Sequence, residues 1–441
     1  MTQHAAIAAI RSAETIRRIG RVEEVSGSIL IARGVEAVVG EFCHILSPDG
    51  RPSAGAVVVG FRGARLVLTP FDQLEGISPG SSIEPTGSPM GAPVGPGLLG
   101  RVIDAQGRPI DDRGPLTGTT LVPIESRQRS ALARKRISEP LSTGIRAIDA
   151  AITLGKGQRV GIFAGSGVGK STVLGMLARG TDADVSVIAL VGERAREVKE
   201  FIEDSLGDEG LRRAVVVVTT SDEPAIRKVH AVATACRIAE HFRDDAQDVM
   251  LLVDSITRVA MAQREIGLAA GEPPTTRGYT PSVFSFIPRI LERAGTAAEG
   301  SITGIYTVLV EGDDLDEPVA DHMRSVLDGH IVLSRALAQR HHYPPIDLLG
   351  SKSRVMEDVT DAAHTRLDAE LRRIMATYAE VEDLVRIGAY RPGGAADVDR
   401  AVQLHEPIAR YLAQDRSEVA LFDETLAGLA GLLAPGAGGA S

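Results

Sequence analysis

Tryptophan is absent from the 441-residue chain, and there are only 9 phenylalanines and 6 tyrosines. A surface that stacks nucleic-acid bases is therefore poorly supplied. The two cysteines, Cys43 and Cys236, supply neither a disulfide framework nor a metal-type spacing, and they point to a reducing compartment, the cytoplasm. No stretch approaches the ~18–20 apolar residues needed to span a bilayer. From Met1 to Arg18 the sequence lacks the charged start, apolar core and cleavage site of a secretory signal. Lysine is scarce while arginine is abundant, and 48 basic against 58 acidic residues leave a net charge of −10. That balance weighs against coating nucleic acid or anionic lipid, while leaving room for a local basic site. What remains is ordinary globular composition, 44% hydrophobic and 24% charged, which excludes a disordered or collagen-like chain. The length predicts two to four domains.

The pattern changes along the chain. The first twenty residues, with Ile7, Ile10, Ile16 and Ile19, predict a short helix whose isoleucines do not share one face. From Arg21 to Ala92, short runs (Ser28 to Ala32, Ala37 to Val39, Phe42 to Leu46, Ala56 to Phe61, Leu66 to Leu68) alternate with turn residues. They predict a small sandwich or barrel, closed by the turn from Ile77 to Gly80. A glycine-rich linking stretch follows from Pro93 to about Pro140. Apolar runs at 160–164, 185–191, 214–220, 249–254, 305–310 and 330–333 then alternate with helical segments such as Glu223 to Asp245. That alternation predicts an α/β fold, a mostly parallel sheet covered on both faces. From Ala363 onward the chain reads as helical (365–386, 398–414, 416–433), ending in a flexible tail from Pro435. The expected units are a tail over 1–20, a β domain over 21–93, an α/β domain over 94–363, a helical domain over 364–433 and a tail over 434–441. There is no internal repeat.

The segment Ala164-Gly165-Ser166-Gly167-Val168-Gly169-Lys170-Ser171 follows one expected strand and opens a helical run from Thr172. In a strand–loop–helix context this is a phosphate-binding loop. Glycines let successive backbone N–H groups wrap phosphate oxygens, and the helix N-terminus adds a favourable dipole. Lys170 is placed to reach the β- and γ-phosphates of a nucleotide, and the Ser171 hydroxyl to bind Mg²⁺. Ala164 stands where the strict pattern has glycine. An apolar run ending in Asp254, 84 residues after Lys170, offers a carboxylate for the Mg²⁺ shell. Past a third strand come Glu193 and Arg194. Glu193 either polarises an attacking water or simply faces the dipole of a helix start; spacing leaves both open.

From Gly100 to Arg391 the sequence resembles the catalytic ATPases of type III export systems, relatives of the rotary ATP synthase catalytic subunit. The resemblance rests on Gly100-Arg101-Val102-Ile103-Asp104, the phosphate loop, Gly192-Glu193-Arg194-Ala195-Arg196-Glu197, Asp254-Ser255-Ile256-Thr257-Arg258 and Ala262-Gln263-Arg264-Glu265-Ile266-Gly267. It continues through Gly271-Glu272-Pro273-Pro274, Val310-Glu311-Gly312-Asp313-Asp314, Pro344-Pro345-Ile346-Asp347 and Ser351-Lys352-Ser353-Arg354. It implies a RecA-like core with an N-terminal β-barrel and a C-terminal helical domain, and Mg-ATP as the bound species. It implies that Glu193 is the catalytic carboxylate, that Arg194 approaches the γ-phosphate and that Tyr343 packs on adenine, a half-buried core tyrosine being the alternative. Arg354 matches an arginine finger supplied by a neighbouring subunit, which implies a homohexameric ring. Ala195, where relatives often carry glycine, and the loop 393–396 depart from the pattern.

The function so implied is ATP hydrolysis that energises protein export at the cytoplasmic base of a secretion apparatus on the inner membrane. A central stalk, an export gate, chaperones, cargo and a stator-like regulator on the N-terminal tail are the implied partners, with peripheral membrane association and no nucleic acid. The strings 277–284 and 386–390 resemble flagellar rather than injection-type members. A rotary synthase subunit fits the 254–265 region less well. A non-catalytic subunit is disfavoured by Glu193, and an RNA translocase by the lack of interleaved basic and aromatic residues in the β region.

Overall fold

A computed structural model of the chain describes residues 17–47, 50–125, 130–310, 312 and 314–434. The helix expected over the first twenty residues falls almost wholly outside them, as does the tail from Pro435. Residues 17–19 have no regular structure, and Gly20 already opens a strand.

Six strands, β1 (Gly20–Ser26), β2 (Ile29–Arg33), β3 (Glu41–Leu46), β4 (Pro52–Arg62), β5 (Arg65–Pro70) and β6 (Ser82–Pro89), close into a barrel in the order β1-β2-β5-β4-β3-β6. Closure through the pairing of Gly20 with Ile83 leaves no free edge. Val22, Leu30, Cys43, Ile45, Val58, Leu68 and Ile83 fill the interior. Three expectations need correction. The run 37–39 is no strand, and Val38 and Val39 lie exposed. β1 went unread, and the turn 77–80 does not end the unit, because β6 follows it. β6 places one large apolar residue, Ile83, in the core among prolines and a glycine, so no alternation announces it.

The central sheet contains β7 (Arg101–Asp104), β8 (Arg159–Ala164), β9 (Val185–Glu193), β10 (Ala214–Thr220), β11 (Asp248–Asp254), β12 (Ser301–Leu309), β13 (Gly329–Leu333) and β14 (Ile346–Ser353). Their order is β14-β13-β8-β12-β11-β9-β10-β7, parallel throughout except for β14 beside β13 and a short Gly295–Thr296 strand beside β12. The six expected core strands are present. β7 corrects the reading of its segment as linker: four residues long at the sheet edge, it gives little periodic signal.

Nine consecutive buried residues in β9 require cover on both faces. Val187, Ala189 and Val191 pack toward α2 (Ala225–Asp244) and α3 (Ile256–Ala270). Ile188 and Leu190 belong to a second core with α1 (Lys170–Gly180) and helices of the C-terminal region. That region comprises α4 (Ala362–Arg386), α5 (Ala396–Leu412) and α6 (Phe422–Leu433). Its first helix begins earlier than expected because Asp361 accepts a hydrogen bond from the His364 N–H, capping it. Its last begins later because Asp415 folds 415–417 into a turn through the Ser417 N–H and hydroxyl.

Candidate active site

Strand register brings three carboxyl ends together. Asp254 at the end of β11 lies opposite Leu190 near the end of β9, and Ala164 closes β8. Ligands bind at such ends in open α/β sheets. The loop 165–169 joins β8 to α1. Gly167 and Gly169 have φ of 76° and 96°, the left-handed region that an L side chain tolerates poorly. Val168 is buried in the core, so it anchors the loop and leaves only its backbone for a ligand. Ala164, in place of glycine, is fully buried strand and strains nothing. No side chain caps the start of α1, so its first N–H groups are left without intrahelical acceptors.

Lys170, the first residue of α1, sits between two buried carboxylates. Its Nζ is 3.2 Å from Glu193 Oε1 and donates to Asp254 Oδ1 as well. Burial works against the ammonium, but Asp254 and Glu193 outweigh it and raise its pKa. Thr307 donates to Asp254 Oδ1 at 2.8 Å, fixing the carboxylate from β12. Ser171 and Thr172 line the cleft beside Gly165, Ser166 and Gly167. The cleft measures 860 Å³, in the range of nucleotide-sized pockets.

Arg194 lines the cleft too, but its side chain is 73% exposed and pairs with Glu197 at 3.2 Å rather than pointing inward. The Tyr343 ring stands beside the loop, 3.9 Å from where a Cβ on Gly169 would lie, with its hydroxyl donating to the Ala338 carbonyl. Arg354 is elsewhere. Ser353 pairs with Gly329 at the amino end of β13, whereas the phosphate loop lies level with the carboxyl end, where Ala164 pairs with Leu333. Arg354 donates instead to the Arg324 carbonyl at 3.2 Å. Glu311 and Asp313 lie outside the described residues.

Three residues escaped the sequence reading. Arg258 donates from Nη2 to Glu193 Oε2 at 3.3 Å. Thr307 holds Asp254, and Arg335 reaches the Ser166 carbonyl at 3.4 Å. Arg258 had a signal: Ser255 caps α3 by accepting from the Arg258 N–H, so an arginine three places past such a cap lies in the first turn, beside the strand ends.

The fold that carries this site is shared with known proteins. Residues 144–353 match the model of the ATP synthase alpha/beta family nucleotide-binding domain, 22–87 that family's beta-barrel domain, and 360–431 the C-terminal domain of type III secretion ATPases. The flagellum-specific ATP synthase of Bacillus subtilis is 48% identical over 433 residues, 98% of this chain and 99% of its own. A type 3 secretion system ATPase of Xanthomonas euvesicatoria is also 48% identical, over 410 residues and 93% of each chain. The assembled ATPase EscN of the enteropathogenic Escherichia coli type III secretion system superposes with a TM-score of 0.89 at 42% identity, covering 94% of this chain and 100% of that one. With its central stalk EscO, the same ATPase gives 0.87. The three matched domains and the near-full-length relatives thus place this chain in the ATP synthase alpha/beta family, in its type III secretion and flagellar export branch.

Proposed function

We propose that the chain is an ATPase that energises protein export through a flagellar type III apparatus. The observation that carries the ATPase reading is Lys170 bridging Glu193 and Asp254 beneath a glycine loop; the flagellar relatives support the export role. When a nucleotide enters, its β- and γ-phosphates compete for the ammonium, and Lys170 turns toward them from the two carboxylates. Glu193, released on one side and still held by Arg258, accepts a hydrogen bond from water and aims it at the γ-phosphorus. Tyr343 flanks the adenine and Arg194 turns in from the rim. The residues fit a magnesium–nucleotide complex: Ser171 and Asp254 offer two hard oxygen donors, and phosphates complete such a set. When bound, such an ion would neutralise charge on the phosphoryl oxygens.

Arg354 sits at the far end of the sheet from its own Lys170, so as a finger it serves a neighbour's site. That requires a ring, and the resemblance makes it a closed homohexamer, working at the cytoplasmic face of the inner membrane with a central stalk, an export gate, chaperones and cargo. A stator-like regulator would bind the tail over 1–20, of which residues 1–16 lie outside the described residues. Injection-type secretion is the second reading, because the Xanthomonas relative is as similar as the Bacillus one.

Glu193→Gln is expected to keep ATP binding and lose turnover by about a hundredfold or more; fluorescent-nucleotide titration beside phosphate assay reads both, and retained turnover removes Glu193 from this role. Deleting the gene and counting filaments by electron microscopy separates the two export systems. Filaments lost, and restored by wild-type but not Glu193→Gln protein, mean flagellar export; filaments kept mean injection.

A further inference from the structure

Behind Glu193 lies a second, smaller cavity of 300 Å³ that shares part of its wall with the cleft. Gly192, Ser221, Lys228, Arg258, Arg264 and Glu265 line it, and Arg258 and Arg264 also line the cleft. The Arg258 side chain is the partition. A Cβ on Gly192 would stand 2.9 Å from Arg258 Cδ, so the arginine runs across the backbone just before Glu193. Its Nη2 holds Glu193, while its Nε is buried without a hydrogen-bond partner.

On the far side, Lys228 donates from Nζ to the Ser221 carbonyl at 2.9 Å. Arg264 lies over the Tyr279 ring, 5.4 Å from its centre. Among the described residues neither cation is in ion-pair contact with a carboxylate. Three cations thus share the cavity with one acid, Glu265. Partial burial lowers the Lys228 pKa, Arg258 adds to the fall, and Glu265, Glu223 and Asp222 offset it only in part. Such a half-buried cation is incompletely compensated, and an anion supplies charge of the missing sign.

Hydrolysis leaves two products in the cleft, and they differ in how they are held. ADP keeps the glycine loop and the tyrosine; inorganic phosphate is small, anionic and adjacent to Arg258. We propose that this cavity is an exit site for inorganic phosphate, which passes from Glu193 along Arg258 to Lys228 and Arg264 while ADP remains bound. The inference rests on the reading of the cleft as an ATP-hydrolysing site and assigns Lys228 a role in product release.

The test compares total phosphate formed, by quenched flow, with phosphate released, by a fluorescent phosphate sensor, in the full-length protein with Mg-ATP. In Lys228→Glu, release is expected to lag formation, slowed about tenfold by the reversed local field, with KM for ATP unchanged and Lys228→Arg restoring wild-type timing. Lys228→Gln gives a shorter lag with a smaller charge change, and serves if the reversal at 228 fails to fold. Variants whose formed and released phosphate keep wild-type timing overturn the route alone. A rise in KM with formation and release slowed together also overturns it, since that marks damage to the cleft. Wild-type protein that forms no phosphate overturns the hydrolase reading and the route with it.

Discussion

At the scale of single residues, polar side chains near the sheet ends are held by charge. Arg101 of β7 grips Asp111 with two hydrogen bonds of 2.7 and 2.9 Å, and the Val102 N–H adds a third to the same carboxylate. The Arg101 contact, working against burial and with help from the backbone donors, holds Asp111 well below the usual carboxylate range. A carboxyl depressed on folding stabilises the protein above its unfolded pKa, near ~4, and loses that contribution as pH falls through the folded value. Asp111→Asn should therefore cost about 1–2 kcal/mol at neutral pH, and the gap to wild type should shrink progressively below pH ~4. Urea unfolding at several pH values measures it; a gap independent of pH would mean that the ion pair is not its source. None of this was legible beforehand, because the partner of a charged side chain is set by chain reversal ten residues away. Lys170 and Asp254 were legible, since each occupies a fixed place relative to a strand end, whereas spacing left Glu193 open and only the resemblance gave it a part. Arg258 stands in a motif whose spacing assigns it no part, because its reach depends on the Ser255 cap.

At the scale of elements, α1 carries Lys170 and Ser171 and must lie close against its neighbours. Gly175, at its middle, allows the segment 201–206 to approach: a Cβ there would stand 2.7 Å from both the Ser205 Cβ and its carbonyl oxygen. Alanine would ordinarily favour a helix interior by about 1 kcal/mol over glycine. Here Gly175→Ala should instead destabilise by about 1–3 kcal/mol and weaken nucleotide binding, because the helix shifts with its first turn attached. Calorimetry and nucleotide titration read these, and a variant at least as stable as wild type would show that the approach is looser than described. Elements with strong periodicity or long apolar runs, β9 and α2 among them, were legible to within a few residues. β6 and β7 were not: one has a single core-facing large residue, and the other is four residues at a sheet edge that tertiary neighbours, not its own pattern, make into strand.

At the scale of the whole molecule, the barrel, core and helical region follow in the order expected from the resemblance, and the resemblance, rather than composition, carried the ring. On the proposed assembly, specific activity should rise with protein concentration as sites form between copies. Mixing Arg354→Ala with Lys170→Ala protein should recover part of the lost activity where an intact loop meets an intact arginine. Absence of recovery, with co-assembly shown by crosslinking, would return Arg354 to a surface role.

The separation of Lys170 and Arg354 to opposite ends of one sheet also sets how the assembly tolerates damage. On the proposed assembly each copy lends its loop to one junction and its arginine to another, so every working junction would draw on two separate copies of the chain. When intact and doubly defective copies mix at random, the surviving junctions fall as the square of the intact fraction, and a minority of altered chains silences more sites than their own number. An allele lacking both groups would then be dominant over wild type in the same cell, whereas one lacking only the arginine would spare half the junctions it enters.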